Sequence, residues 1–153
     1  AIDASAVTFL QNKLGLSASE MSDYLNKKSG FMGVSGISSD NRDITAAIEK
    51  GDERAELTSE MLRYQIKKYI GAFAAAMNGL DAVIFTGGIG ENDVYIRGEI
   101  IKGLTYLGIE FDESKNAVRG EEAILSAPNS KVTVCVIPTD EEWMIASDTQ
   151  SLI

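Results

Sequence analysis

Residues 81–92 read Asp-Ala-Val-Ile-Phe-Thr-Gly-Gly-Ile-Gly-Glu-Asn, an apolar run that breaks at once into a glycine-rich turn. A run of this kind fits a strand covered on both faces, as in a parallel sheet. A helix is expected directly after it, over 93–107, with Ile96, Ile100, Leu104 and Leu107 aligned. Strand, glycine turn and helix in that order confine the chain to the α/β class. The glycines permit positive φ and let a ligand approach the backbone closely. The helix beyond them offers unpaired N–H groups, and the carboxyl edge of a parallel strand is a favoured ligand position. No Lys-Ser/Thr follows, so this is not a Walker A loop, and Asp93 stands where a dinucleotide fingerprint needs its third glycine. By spacing alone, two readings stay open: nucleotide or phosphate binding, and a tight structural turn with Asn92 or Asp93 as the helix cap.

The rest of the chain supplies the layers. Two short helices are expected over 3–14 and 20–28, then a short strand or irregular loop over 33–40 and a helix over 44–49. The longest periodic segment, 52–78, puts Leu62, Ile66, Ile70, Phe73 and Met77 on one helical face. Residues 121–126 are a weak strand candidate, 131–137 a clear strand, and 141–151 a last helix. The expected architecture is a mostly parallel sheet with packed helices, in a single domain spanning 1–153.

Composition narrows the function. Fourteen Lys plus Arg against 23 Asp plus Glu give a net charge of −9, which argues against nucleic acid or an anionic membrane as the main partner. A small anion in a local pocket remains compatible with that charge. The absence of histidine excludes Ser–His–Asp and Cys–His catalysis within this chain. Cys135, the single cysteine, stands in an apolar run and reads as a buried thiol in a reducing compartment, hence a cytoplasmic protein. No segment approaches the ~20 apolar residues of a membrane span, and the first residues lack a basic leader pattern. The missing initiator methionine suggests that position 1 is a truncation point.

Two further clusters carry chemistry. Asp40-Asn41-Arg42-Asp43 follows a Gly/Ser-rich stretch and offers a planar guanidinium for a base or phosphate; the alternative is a helix cap with a local ion pair. Thr139-Asp140-Glu141-Glu142 ends the 131–137 strand and offers carboxylates for Mg²⁺; the alternative is acidic residues favoured in a helix's first turn. The remaining arginines (Arg54, Arg63, Arg97, Arg119) fall in helical or variable segments unlinked to these motifs. A glycine cradle, an Arg and a carboxylate cluster together point to nucleotide plus Mg²⁺.

The segments 29–43, 85–92 and 137–142, in this order, resemble the acetate kinases along essentially the whole chain. These are ATP-dependent short-chain acyl kinases with the actin-like, ribonuclease H-like fold. The resemblance implies that Asp40, Asn41 and Arg42, with Gly88, Ile89, Gly90, Glu91 and Asn92, line an adenine and ribose pocket. It also implies that Glu141 positions Mg²⁺, with Glu142 as a neighbour, and that the protein is a homodimer. Asp140 departs from the family, whose members usually carry Asn there, and adds a negative charge beside the metal site. The chain matches only the C-terminal, nucleotide-binding part of these enzymes. The family's catalytic His and Asp, its essential arginines and its phosphate loop have no counterpart, so the chain alone is expected to be inactive and acetate to bind through the missing N-terminal part. A propionate or butyrate kinase fragment and a non-catalytic nucleotide-binding module are the alternatives.

Overall fold

The computed structural model describes residues 2–153, which fall into two compact units, Ala1–Met61 and Leu62–Ile153. The first unit is helical. Helix α1 (Ala4–Leu14) starts where the Asp3 carboxylate accepts from the Ser5 and Ala6 amides. Helix α2 (Ala18–Lys27) starts with a reciprocal cap, in which Ser17 Oγ accepts from the Glu20 amide and Glu20 accepts from the Ser17 amide. Helices α3 (Gly30–Ser35) and α4 (Asn41–Ile48) follow, with Met21 and Ile44 buried.

The expected strand or loop over 33–40 is thus partly a helix. A strand needs a neighbour to complete its ladder, and a short helix closes its own hydrogen bonds. Ser35 Oγ donates to the Phe31 carbonyl and accepts from the Ile37 amide, and Arg54 donates twice to the Val34 carbonyl, at 3.0 and 2.6 Å. Arg54 therefore caps the carboxyl end of α3, where a cation suits the helix dipole.

Helix α5 (Glu53–Ala76) begins in the first unit and ends in the second. The second unit contains a three-stranded sheet of β1 (Ala82–Phe85), β2 (Ala123–Ile124) and β3 (Thr133–Val136), in the order β1-β3-β2. β1 pairs parallel with β3 (Phe85 opposite Val136), whereas β2 pairs antiparallel with it. The sheet is mixed, not mostly parallel: only a short connection separates β2 from β3, and such a link returns the chain antiparallel.

Helix α7 (Val94–Lys102) supplies Ile96, Ile100 and Ile101 to a core with Val83, Phe85, Val134 and Val136. Leu62, Ile66 and Ile70 of α5 pack against it. Each such buried side chain contributes about 1.5–3 kcal/mol. Phe73, expected on the same stripe, is 61% exposed while its neighbour Ala74 is buried, so the buried face of α5 passes through 74 rather than 73; Met77, 62% exposed, lies beyond the helix end. The reading of β1 as covered on both faces also fails. Ile84, Cys135 and Ile124 are register partners on the opposite face; Ile84 is 54% and Ile124 60% exposed, and Cys135 is half-buried rather than buried. No helix among the described residues is long and apolar enough to cross a membrane.

Candidate functional site

Beyond β1, the segment expected as a turn is itself a short helix, α6 (Gly87–Asn92), and Asp93 separates it from α7. Asp93 is extended, and its carboxylate accepts from the Ile96 amide, so it ends one helix and caps the next. The expected continuous helix over 93–107 is shorter, closing at Lys102 before a separate 3-10 turn, Thr105–Leu107.

The three glycines of this segment differ in what they need. Gly87 has φ +70°, a conformation that glycine adopts without strain. A Cβ on Gly90 would lie 3.2 Å from the Phe85 carbonyl carbon, a contact tight enough that α6 would have to shift on β1 by a few tenths of an ångström. Gly88 has neither reason: its φ is not positive, and a Cβ there would meet nothing within 4 Å. All thirteen other glycines have either a positive φ or a neighbouring atom inside that distance. In a helix, glycine without such a reason costs up to about 1 kcal/mol relative to alanine.

Beneath α6 lies Arg97, which is 0% exposed. Its Nη1 donates to the Gly90 and Glu91 carbonyls (2.9 and 2.8 Å), its Nη2 to the Asn116 and Val118 carbonyls (2.9 and 2.7 Å), and its Nε to Asn116 Oδ1 at 3.2 Å. Burial pushes its pKa down, with Asp93 opposing the shift. Arg119 donates to the Asn92 carbonyl at 2.7 Å, and the Gly120 amide to the Glu91 carbonyl. Arg97 and Arg119 are thus linked to the glycine motif, contrary to the sequence expectation. The sequence does carry a signal for Arg97. It stands four residues before Ile101 and seven before Leu104, within the buried stripe of an apolar helix, where a lone cation must find several acceptors.

The last two residues of α6 bond back to the protein. Asn92 Nδ2 donates to the Gly88 carbonyl at 3.0 Å. Glu91 Oε1 accepts from the Gly87 amide (2.7 Å), the Thr139 amide (2.9 Å) and Thr139 Oγ1 (3.0 Å). Hydrogen bonds from Thr139 and Gly87 hold its carboxyl below the usual range. Through Glu91, α6 is tied to the turn that leads from β3 into helix α8 (Glu141–Ser151). In that turn Asp140 accepts from the Trp143 amide, and Glu141 and Glu142 occupy the exposed first turn of α8. The three acids form no cage: no group of three or more potential ligands that could hold a metal occurs among the described residues. A single exposed carboxylate still suits Mg²⁺, which commonly takes one or two protein carboxylates and completes its shell with phosphate oxygens and water.

In the first unit, Asp40 caps α4 by accepting from the Arg42 amide, and its carboxylate grips the Arg42 guanidinium, the shortest contact being 2.6 Å. That bond holds the Asp40 pKa down to about 2 and raises that of Arg42. Here the geometry is the cap with a local ion pair. Arg42 is nonetheless largely exposed, and its guanidinium keeps further N–H donors.

The profile of the Acetokinase family matches residues 1–147. The chain belongs to that family. It is 57% identical over 152 residues to an acetate kinase of Phocaeicola vulgatus, covering 99% of this chain and 38% of that one. An acetate kinase of Carboxydothermus hydrogenoformans is 55% identical with the same coverage. Among solved structures, the Porphyromonas gingivalis acetate kinase superposes with a TM-score of 0.89 at 51% identity, over 99% of this chain and 38% of that one. A Francisella tularensis propionate kinase superposes at 0.84 with 39% identity, over 100% and 39%. The chain therefore spans about two-fifths of the length of its acetokinase relatives.

Proposed function

We propose that this chain is the C-terminal, nucleotide-binding part of an acetate kinase, which moves a phosphoryl group reversibly between ATP and acetate. The observation that carries the reading is Gly88. The fold itself gives no reason for a glycine there, and a ligand lying against the α6 backbone supplies one. On this reading Gly88, Ile89 and Gly90 flank the adenosine, and Glu91 and Asn92 shape the segment. Asp40, Asn41 and Arg42 contribute nucleotide contacts from the actin-like fold's adenine region, with Arg42 donating from the N–H groups that Asp40 leaves unused. Mg²⁺ would be held by Glu141 together with the nucleotide phosphates, with Glu142 beside it; it would neutralise charge on the transferring group. A cytoplasmic homodimer is the assembly in keeping with this reading.

Turnover by the chain alone is not expected. Of its five arginines, Arg42 is bound to Asp40, Arg63 is buried over the Tyr95 ring, and Arg54, Arg97 and Arg119 are committed to backbone carbonyls. Loss of even one arginine that stabilises a phosphoryl transition state costs roughly 10³–10⁵ in rate. A propionate kinase is the second reading, favoured by the likeness to the Francisella enzyme; kcat/KM for acetate against propionate in the full-length enzyme separates the two.

Gly88→Ala tests the site with two opposed readouts. Thermal stability should hold or rise by up to about 1 kcal/mol, since alanine is the better helix former. Affinity for Mg²⁺-ADP by calorimetry should fall by about tenfold or more, equivalent to about 1.4 kcal/mol. Unchanged ADP affinity in a stable Gly88→Ala protein would return the segment to a structural turn.

A further inference from the structure

Two turns leave the same edge of adjacent parallel strands. The turn after β1 forms α6 and rests on the buried Arg97; the turn after β3 leads into α8, which buries no residue. Beyond the ladder, where the Ile137 amide donates to the Phe85 carbonyl, Glu91 ties the second turn to the first. One oxygen of this carboxylate serves the Gly87 amide at the start of its own helix and both donors of Thr139. Thr139 is followed by Asp140, the cap of α8, and then by Glu141, so the line runs from Arg97 through the α6 backbone and Glu91 to the start of α8. We propose that Glu91 is a positioning residue for the metal side of the site: it sets the placement of Glu141 by fixing Thr139. This rests on the nucleotide and Mg²⁺ reading above.

Glu91 has two features that suit the role. One of its oxygens, Oε1, is already filled by three donors from the protein, two of them on Thr139. Thr139 lies 48 residues further along the sequence, so its two bonds to Glu91 constrain tertiary placement, beside the local bond to the Gly87 amide. Residues that orient a ligand from behind typically change metal affinity by 10–100-fold when removed.

The test uses the full-length enzyme carrying this chain. In Glu91→Ala, Mn²⁺ affinity of the ADP complex, read by electron paramagnetic resonance, should weaken by about tenfold or more. The Mg²⁺ needed for half-maximal rate should rise in step, while nucleotide KM at saturating Mg²⁺ should change by a smaller factor. Glu91→Gln should restore part of the Mn²⁺ affinity, because its amide oxygen, with two lone pairs, can still accept from Thr139. Thr139→Val, a milder change that keeps the Thr139 amide, should weaken Mn²⁺ binding in the same direction, and combining it with Glu91→Ala should add nothing further. Unaltered Mn²⁺ affinity in Glu91→Ala, or a loss confined to nucleotide KM, would overturn the proposal. Additive losses in the double variant would overturn it too. Gly88→Ala in the same assays reports separately on the nucleotide reading, since it should change nucleotide affinity whether or not Glu91 acts on the metal.

Discussion

β1 and β3 run side by side in the same direction, and each ends in a turn that starts a helix, but the two turns are supported from opposite sides. The turn after β1 is braced from within. Arg97 spends five hydrogen bonds on it and on the 116–118 segment, and Gly90 lets α6 lie directly on the strand. The turn after β3 has an N-cap at Asp140 and the bonds to Glu91, and the helix beyond it contributes nothing to the core. A glycine-rich turn can thus be rigid when buried polar groups hold its carbonyls. An acid-rich turn that caps only its own helix takes its position from a neighbour.

Arg97→Met is the severest way to break the comparison. It removes the charge but leaves the Gly90, Glu91, Asn116 and Val118 carbonyls buried without that donor, and should destabilise the second unit by about 3–5 kcal/mol in denaturant unfolding. A loss well under about 1 kcal/mol would mean that the brace is dispensable. Gly90→Ala should cost about 1–3 kcal/mol, since its Cβ must push α6 away from Phe85. Its destabilisation beside the neutral or favourable Gly88→Ala would show that two glycines two positions apart serve different masters. On the β3 side, Asp140→Ala should cost about 1 kcal/mol at most. The effect should be confined to α8 and visible as faster hydrogen exchange at the Trp143 amide while the core amides keep their protection.

The mildest test sharpens the contrast with the first unit, where the ion pair is exposed. Asp40 should titrate in a carboxyl NMR experiment with a midpoint of about 2, and Arg42→Ala should move it up toward the ordinary carboxylate value. Because the folded value lies below the unfolded one, the contribution of this cap is present above the ordinary carboxylate range. It fades as pH falls through that range toward 2. A wild-type midpoint near the ordinary value would remove Arg42 as a partner of Asp40.

Much of this was legible in the sequence, for reasons that differ by residue. The helices expected over 3–14 and 20–28, the strand after Asp81 and the last helix over 141–151 follow from local chemistry, which a sequence displays directly. Residues 33–35 misled because Val34 and the glycines suggest extension, while a strand depends on a partner that no local pattern reveals. The glycine motif was recognisable as a unit, yet the division of labour among Gly87, Gly88 and Gly90 depends on φ values and on the distance to Phe85. What Arg97 and Glu91 bond to was hidden for a related reason: their partners at 116–118 and 139 are remote in sequence.

The open face of the sheet has a practical side. Cys135, the only thiol in the chain, sits between Ile84 and Ile124 in the middle of that face. Burial, with Glu122 adding to it, pushes its pKa up, so it reacts slowly with alkylating reagents at neutral pH and more readily as the solution is made alkaline. The protein therefore carries a native single-site label: the modification rate of one atom, followed by mass spectrometry, reports whether anything lies across the sheet, with no residue added or removed.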